Sequence, residues 1–281
     1  MAIIRAISVN MNQIPQIVRI VFLILFVFSV SGCKKSTDAL SALDYTATAE
    51  VLFNEAMITF ERERWSDAEK SFGEIRRKYP YSKYAALSEI RGADCLFFLN
   101  SHAEAAVSYE HFLKTYPTHP EAAYAAFQRA VSFFEQIPGD FAIMPPSYER
   151  DQSATRDART ALSHFLRTYK DTQWQERASE LYIEVENALV RHEMYVAEFY
   201  LKRKKLKAAS VRLEGIAHYF SASPLVPDAM LLQAVTFLEM KETERAIAVF
   251  GDIIELFPAH HQAKRAEQYL AALRYPASGA N

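Results

Sequence analysis

Two cysteines and a pair of adjacent histidines have the most scope for chemistry in this 281-residue sequence. Cys95 sits among Ala93, Leu96 and Phe97, the setting of a small buried hydrophobe. His260 and His261 are neighbours, so on a helix their side chains diverge, and a metal site would need further ligands beside them. No GxSxG, HExxH, P-loop or GxGxxG string occurs anywhere in the chain. These absences predict a non-enzymatic protein with no metal and no cofactor. Cys33 is different. It follows Val30, Ser31 and Gly32, residues small enough to let an extended chain enter a peptidase, and its thiol can form a thioether.

Arg5 and Arg19 precede an unbroken apolar run, Ile20 to Phe28, which is about half the roughly 20 residues that a membrane-crossing helix needs. A basic start, a short apolar stretch and small residues at its end form a secretory signal over residues 1–32. Val30-Ser31-Gly32-Cys33 resembles the lipobox of bacterial lipoproteins. That resemblance implies cleavage before Cys33, a diacylglyceryl group on its thiol and an acyl group on its new amine. This covalent lipid is the one non-protein group expected. An Asp directly after such a cysteine commonly signals inner-membrane retention; Lys34 stands there instead, which implies the outer membrane, on its periplasmic face. Several acyl chains, at about 0.8 kcal/mol per buried CH₂, anchor a chain without spanning the bilayer. Residues 33–46, opening with Lys34-Lys35-Ser36-Thr37-Asp38, read as a polar tether.

Composition narrows the rest. With 50% hydrophobic and 23% charged residues the chain can bury a core, and 7 glycines are too few for many tight hairpins. Removing residues 1–32 takes away two basic residues and no acid, moving the net charge from −2 to −4. Such a balance offers no footprint for nucleic acid.

One helical pattern then recurs five times. Ala68, Ala105, Ala158, Ala209 and Ala246 are each followed four residues later by Phe72, Tyr109, Leu162, Leu213 and Phe250. Seven residues later stand Ile75, Phe112, Phe165, Ile216 and Ile253, and eleven later Tyr79, Tyr116, Tyr169, Phe220 and Phe257. These offsets share one helical face. Pro80, Pro117 and Pro258 follow three of the closing aromatics, where a missing N–H stops a helix. Twelve residues before the alanines, Ala56, Ala93, Ala197 and Ala234 place a small residue on a partner helix, and small facing small allows close approach. The third repeat fits once about 16 residues are inserted, which brings Ala130 into register. The pattern resembles the tetratricopeptide repeat. The expected fold is all-α, a right-handed superhelical solenoid of five such hairpins over residues 47–259, with first helices lining a concave groove. Residues 260–281 are expected to form a helix end and tail.

The insertion at 136–151 carries Pro138, Gly139, Pro145 and Pro146 and reads as a loop; its Phe141, Ile143 and Met144 suggest that it packs on something. In this register Phe53, Met57 and Phe60 of repeat one and Ile90, Asp94 and Phe97 of repeat two face the groove, where aromatics and Met could anchor an apolar peptide. Lys202 to Lys207 form a basic turn in repeat four, suited to an acidic partner surface or anionic headgroups. Arg212, one residue before Leu213, leaves the packing face. Lys204, Lys205 and Arg212 are therefore the candidate partner-binding charges.

Ordered stretches across residues 33–258 resemble the BamD (ComL) family of lipoproteins of the outer-membrane β-barrel assembly machine. They are Arg64-Trp65-Ser66-Asp67-Ala68, Arg77-Lys78-Tyr79-Pro80-Tyr81-Ser82, Tyr116-Pro117-Thr118-His119-Pro120 and Tyr148-Glu149-Arg150-Asp151. Tyr195-Val196-Ala197-Glu198-Phe199-Tyr200 and Arg212-Leu213-Glu214-Gly215 follow. The resemblance implies that the C-terminal repeats bind periplasmic domains of the barrel protein BamA, alongside other assembly-machine lipoproteins. It also implies that the N-terminal repeats receive unfolded outer-membrane proteins. A second reading, from the versatility of the repeat, is an adaptor linking the outer membrane to peptidoglycan machinery.

Overall fold

A computed structural model of the chain describes residues 37–140 and 143–274. Cys33 and the signal segment lie outside them. The chain divides into two compact units, 1–48 and 49–281. The described part of the first unit is the opening of helix α1 (Thr37–Glu61), in which Thr48 Oγ1 donates to the Asp44 carbonyl at 2.8 Å. Residues 37–46 are thus helical, where a polar tether was expected. Thr37-Asp38 suits a helix start and the Ala- and Leu-bearing sequence that follows favours propagation.

The second unit is a helical repeat solenoid; among the described residues there is no strand. Repeat one pairs α1 with α2 (Trp65–Lys78), repeat two α3 (Lys83–Phe98) with α4 (His102–Thr115), and repeat three α5 (Ala122–Phe134) with α6 (Ser153–Thr168). Repeat four pairs α7 (Gln175–Lys202) with α8 (Leu206–Glu214), which α9 (Ile216–Tyr219) prolongs. Repeat five pairs α10 (Val226–Glu239) with α11 (Thr243–Leu256), and α12 (His261–Arg274) follows.

Every paired alanine is buried: Ala56 with Ala68, Ala93 with Ala105, Ala130 with Ala158, Ala197 with Ala209 and Ala234 with Ala246. At these crossings a methyl group is all the space allows, because each hairpin brings its two helices into direct contact. The residues four and seven later, from Phe72 and Ile75 to Phe250 and Ile253, are also buried, and they fill the seam of each hairpin. The closing aromatics end the helices: the N–H of Tyr79 reaches Ile75 O, that of Tyr116 reaches Phe112 O and that of Phe257 reaches Ile253 O. Without a proline, repeat three turns through Asp171, whose φ is 59°. Between α8 and α9 only Gly215 is irregular, and its φ of −80° and ψ of −15° remain right-handed helical, so Leu213 and Ile216 keep one buried face.

The apolar core is a chain of clusters, as expected for an array whose units contact mainly their neighbours. One cluster joins repeat one to α3, one joins repeat two to α5, one spans α5–α7 and one covers repeats four and five with α12. Tyr269 of α12 stacks on Phe250 at 4.9 Å and so covers the end of the last seam.

Candidate functional site

In repeat one, Phe53 lies 5.7 Å from Phe72 and 5.3 Å from Tyr84, while Phe60 meets Trp65 edge-on at 4.8 Å. Both rings, with Met57, are half-buried against the repeat-one cluster. They are walls of the hairpin with one edge free. Replacing Phe53 and Phe60 together by Ala would therefore cost stability as well as any ligand contact. Phe97 keeps a similar half-exposed position, 4.9 Å from the His102 ring. Trp65 and Phe98 stack at 4.4 Å beside Phe60, an aromatic cluster across two repeats that the sequence register did not bring together.

Ile90 and Asp94 do not face a groove. Ile90 is fully buried and Asp94 is 2% exposed. The reason is that α3 is covered by α2 on one side and by α4 and α5 on the other, so a position that register alone leaves open is closed by the stack. Asp94 is a hub instead. Its Oδ1 accepts from Tyr109 OH at 2.6 Å and Tyr124 OH at 2.8 Å, and its Oδ2 accepts from Arg91 Nη1 at 2.6 Å. Burial, with the Asp94 carboxylate beside them, pushes both phenols well above the ordinary tyrosine range, so they stay protonated donors. The hub joins α3, α4 and α5. Asp94→Ala is expected to lower unfolding stability by about 3 kcal/mol, since it strands Tyr109 OH and Arg91. Asp94→Asn, which still accepts from the tyrosines, should lose less; urea denaturation distinguishes the two.

The C-terminal half does gather its predicted charges. Lys204, Lys205 and Arg212 line one cleft of about 810 Å³ together with Lys207, Tyr200, Leu206, Val211 and Met240. The tight turn between α7 and α8, with Lys204 at φ 57°, folds the lysines back beside Arg212. Arg212 Nη1 lies 3.3 Å from Glu193 Oε2 and its side chain stays 46% exposed, so it is held in place yet open to a partner. Met240 comes from the next repeat, a lining residue that local sequence could not supply.

The insertion is braced at its base. Arg150 donates to Pro138 O and Gly139 O, and Gln152 Nε2 donates to Ser147 O at 2.8 Å. The loop docks on α7: Tyr148 O accepts from His192 Nδ1 at 2.7 Å and the Tyr148 ring lies 5.4 Å from Tyr195. Ile143 (97% exposed) and Met144 do not pack inward, contrary to expectation; the loop is held by its polar base and Tyr148 instead. Phe141 lies outside the described residues.

His260 and His261 also depart from their reading. Their rings lie 4.3 Å apart, because His260 precedes α12 and is not yet on its helical path. His260 Nδ1 accepts from the Gln262 N–H, a capping role. Among the described residues no group of three or more His, Cys, Asp or Glu side chains could hold a metal ion. Burial pushes the Cys95 thiol up to about 12, the signature of an inert core cysteine. Among the described residues no helix is long and apolar enough to cross a membrane.

Residues 46–247 match the family model described as "YfiO: Outer membrane lipoprotein". The chain belongs to this family. BamD proteins are its relatives here. The chain is 27% identical to "Outer membrane protein assembly factor BamD" of Caulobacter vibrioides over 231 residues, 81% of this chain and 73% of that protein. It is 27% identical to the protein of the same name from Xylella fastidiosa over 219 residues, 75% of this chain and 73% of the relative. For the Rickettsia prowazekii protein the figure is 26% over 187 residues, 66% and 70% respectively. The matched span of the YfiO family contains the Asp94 hub, the insertion and the basic cleft.

Proposed function

We propose that this protein is a lipid-anchored, non-enzymatic assembly factor for outer-membrane proteins, carried by Cys33 on the periplasmic face of the outer membrane. The observation that carries the reading is the match of residues 46–247 to an outer-membrane lipoprotein family whose relatives bear the name of outer-membrane assembly factors. In this reading the C-terminal repeats hold the periplasmic domains of a BamA-type barrel protein and accessory lipoproteins. The N-terminal repeats receive unfolded outer-membrane proteins at the free edges of Phe53, Met57, Phe60 and Phe97. The mechanism is binding alone: a folded scaffold that holds substrate and insertion machinery together raises the effective concentration of one near the other.

Arg212 is the charge proposed to meet the barrel protein, supported by its exposure and by the Glu193 contact that orients it. Arg212→Glu should lower capture of a BamA-type protein from detergent-solubilised envelopes about tenfold or more, because a repelled charge at an interface adds to the lost one. Undiminished capture would overturn that docking assignment. Recovery of cell-wall enzymes with no barrel protein would hand the function to the envelope adaptor.

A further inference from the structure

The turn of repeat four is charged beyond anything the fold requires. Five residues before the aligned alanine, each of four repeats places a left-handed residue: Glu63, Asn100, Lys204 and Lys241, with φ between 57° and 63°. The geometry therefore asks for a left-handed backbone and not for a cation. Only in repeat four is the surrounding turn wholly basic, as Lys202-Arg203-Lys204-Lys205, with Lys207 just beyond. All five are exposed, and from residue 199 to residue 213 there is no acid. Among the described residues no ion pair involves any of them. This concentration stands on a chain whose net charge is negative.

Apolar surface accompanies the charge. Phe199 is 41% exposed beneath the Arg203 guanidinium, which lies 3.5 Å from its ring centroid, and Val211 is 64% exposed. Tyr200, Leu206, Val211 and Met240 line the neighbouring cleft together with its cations. A matched protein carboxylate favours a planar, oriented guanidinium, whereas lysines are mobile point charges suited to many phosphates at once. Exposed aromatic and aliphatic groups among lysines suit the boundary between headgroups and acyl chains.

We propose that the Lys202–Lys207 turn and the cleft beside it bind the headgroups of anionic phospholipid, making a second membrane contact apart from the acyl anchor. The contact goes beyond the docking role of Arg212 and rests on the proposed function only for its membrane location. Polybasic clusters of this size bind anionic bilayers through summed, salt-sensitive attraction. The apolar lining of the cleft would take the glycerol and first methylenes of a lipid whose phosphate meets the lysines.

The test is flotation of residues 33–281, expressed without the signal segment and carrying Cys33→Ser so that neither an acyl anchor nor the apolar run 20–28 contributes, with vesicles of neutral lipid or with about one-third phosphatidylglycerol. The expected result is binding to the anionic vesicles only, weakened at about 0.5 M salt. The triple variant Lys202→Glu, Lys204→Glu, Lys205→Glu should reduce it roughly tenfold or more at unchanged helical content. Exposed turn positions make a folding failure easy to recognise by circular dichroism. Equal binding to both vesicles, no binding, or full binding by the triple variant would overturn the proposal. Loss of barrel-protein capture by the triple variant, with no vesicle binding by the parent, would overturn it in favour of an acidic protein surface. Arg212 lines the same cleft and is left unchanged here; Lys70→Glu, an exposed charge reversal on α2 outside the cleft, should leave vesicle binding within about twofold.

Discussion

Glu186→Ala is expected to lower the free energy of unfolding by about 3–5 kcal/mol. Glu186 is 1% exposed, on α7. Its Oε1 accepts from Arg159 Nε at 3.1 Å and Nη2 at 3.0 Å, and its Oε2 accepts from the Ala222 N–H at 2.8 Å. Arg159 on α6 also donates to Tyr219 O, and its guanidinium faces the Phe220 ring at 5.1 Å. One carboxylate thus ties repeat three to repeat four and to the connection leading into repeat five. Removing it leaves Arg159 without its anion and a backbone N–H without its acceptor, which is why the expected loss exceeds that of an exposed pair. In an array stabilised largely by neighbour contacts, such a loss falls on the join between halves. Urea denaturation should show a lower midpoint, and hydrogen exchange should rise first in α7 and the 220–225 connection. Glu186→Gln, which can still accept from Ala222, should lose less. A loss below about 1 kcal/mol for the Ala variant would show that the hub contributes no more than a surface pair.

The largest functional effect is expected at Cys33. Cys33→Ser should abolish palmitate incorporation and recovery in the outer-membrane fraction, leaving an uncut precursor that retains residues 1–32. The hydroxyl cannot form the thioether on which cleavage depends. Each lost methylene removes about 0.8 kcal/mol of membrane affinity, so losing several acyl chains leaves no durable lipid anchor. Metabolic labelling and the intact mass of the recovered protein check this. Unchanged labelling would place the acyl group elsewhere in the chain and remove the anchor assignment.

Much of the architecture was legible in the residues themselves. The five aligned alanines, their partners and the apolar positions four and seven later are all buried, because helical period and side-chain size are local properties that a repeat merely multiplies. The 28-residue α7 follows from a stretch free of Pro and Gly, so that nothing in it interrupts a helix. The tether boundary was not legible. Polar residues such as Thr37 and Asp38 serve equally as linker and as helix start, and composition does not separate the two.

Tertiary structure decided what each face meets. Phe53 and Ile90 hold corresponding places in a first helix, yet one keeps a free edge and the other is sealed, since among the described residues α3 has a hairpin on both sides and α1 is the first helix. Asp94 read as a groove residue until Tyr109 and Tyr124, 15 and 30 residues away, closed over it. Arg159 and Glu186 gave no signal at all, because a pair 27 residues apart depends on how two hairpins stack. The basic cleft shows both sources. Its cations are consecutive in the chain, but Arg212 and Met240 reach them only through the turn after α7 and the packing of repeat five. Period and residue size set the helices and their buried seams; distances between hairpins, set by packing, determined which polar groups became hubs and which stayed open to partners.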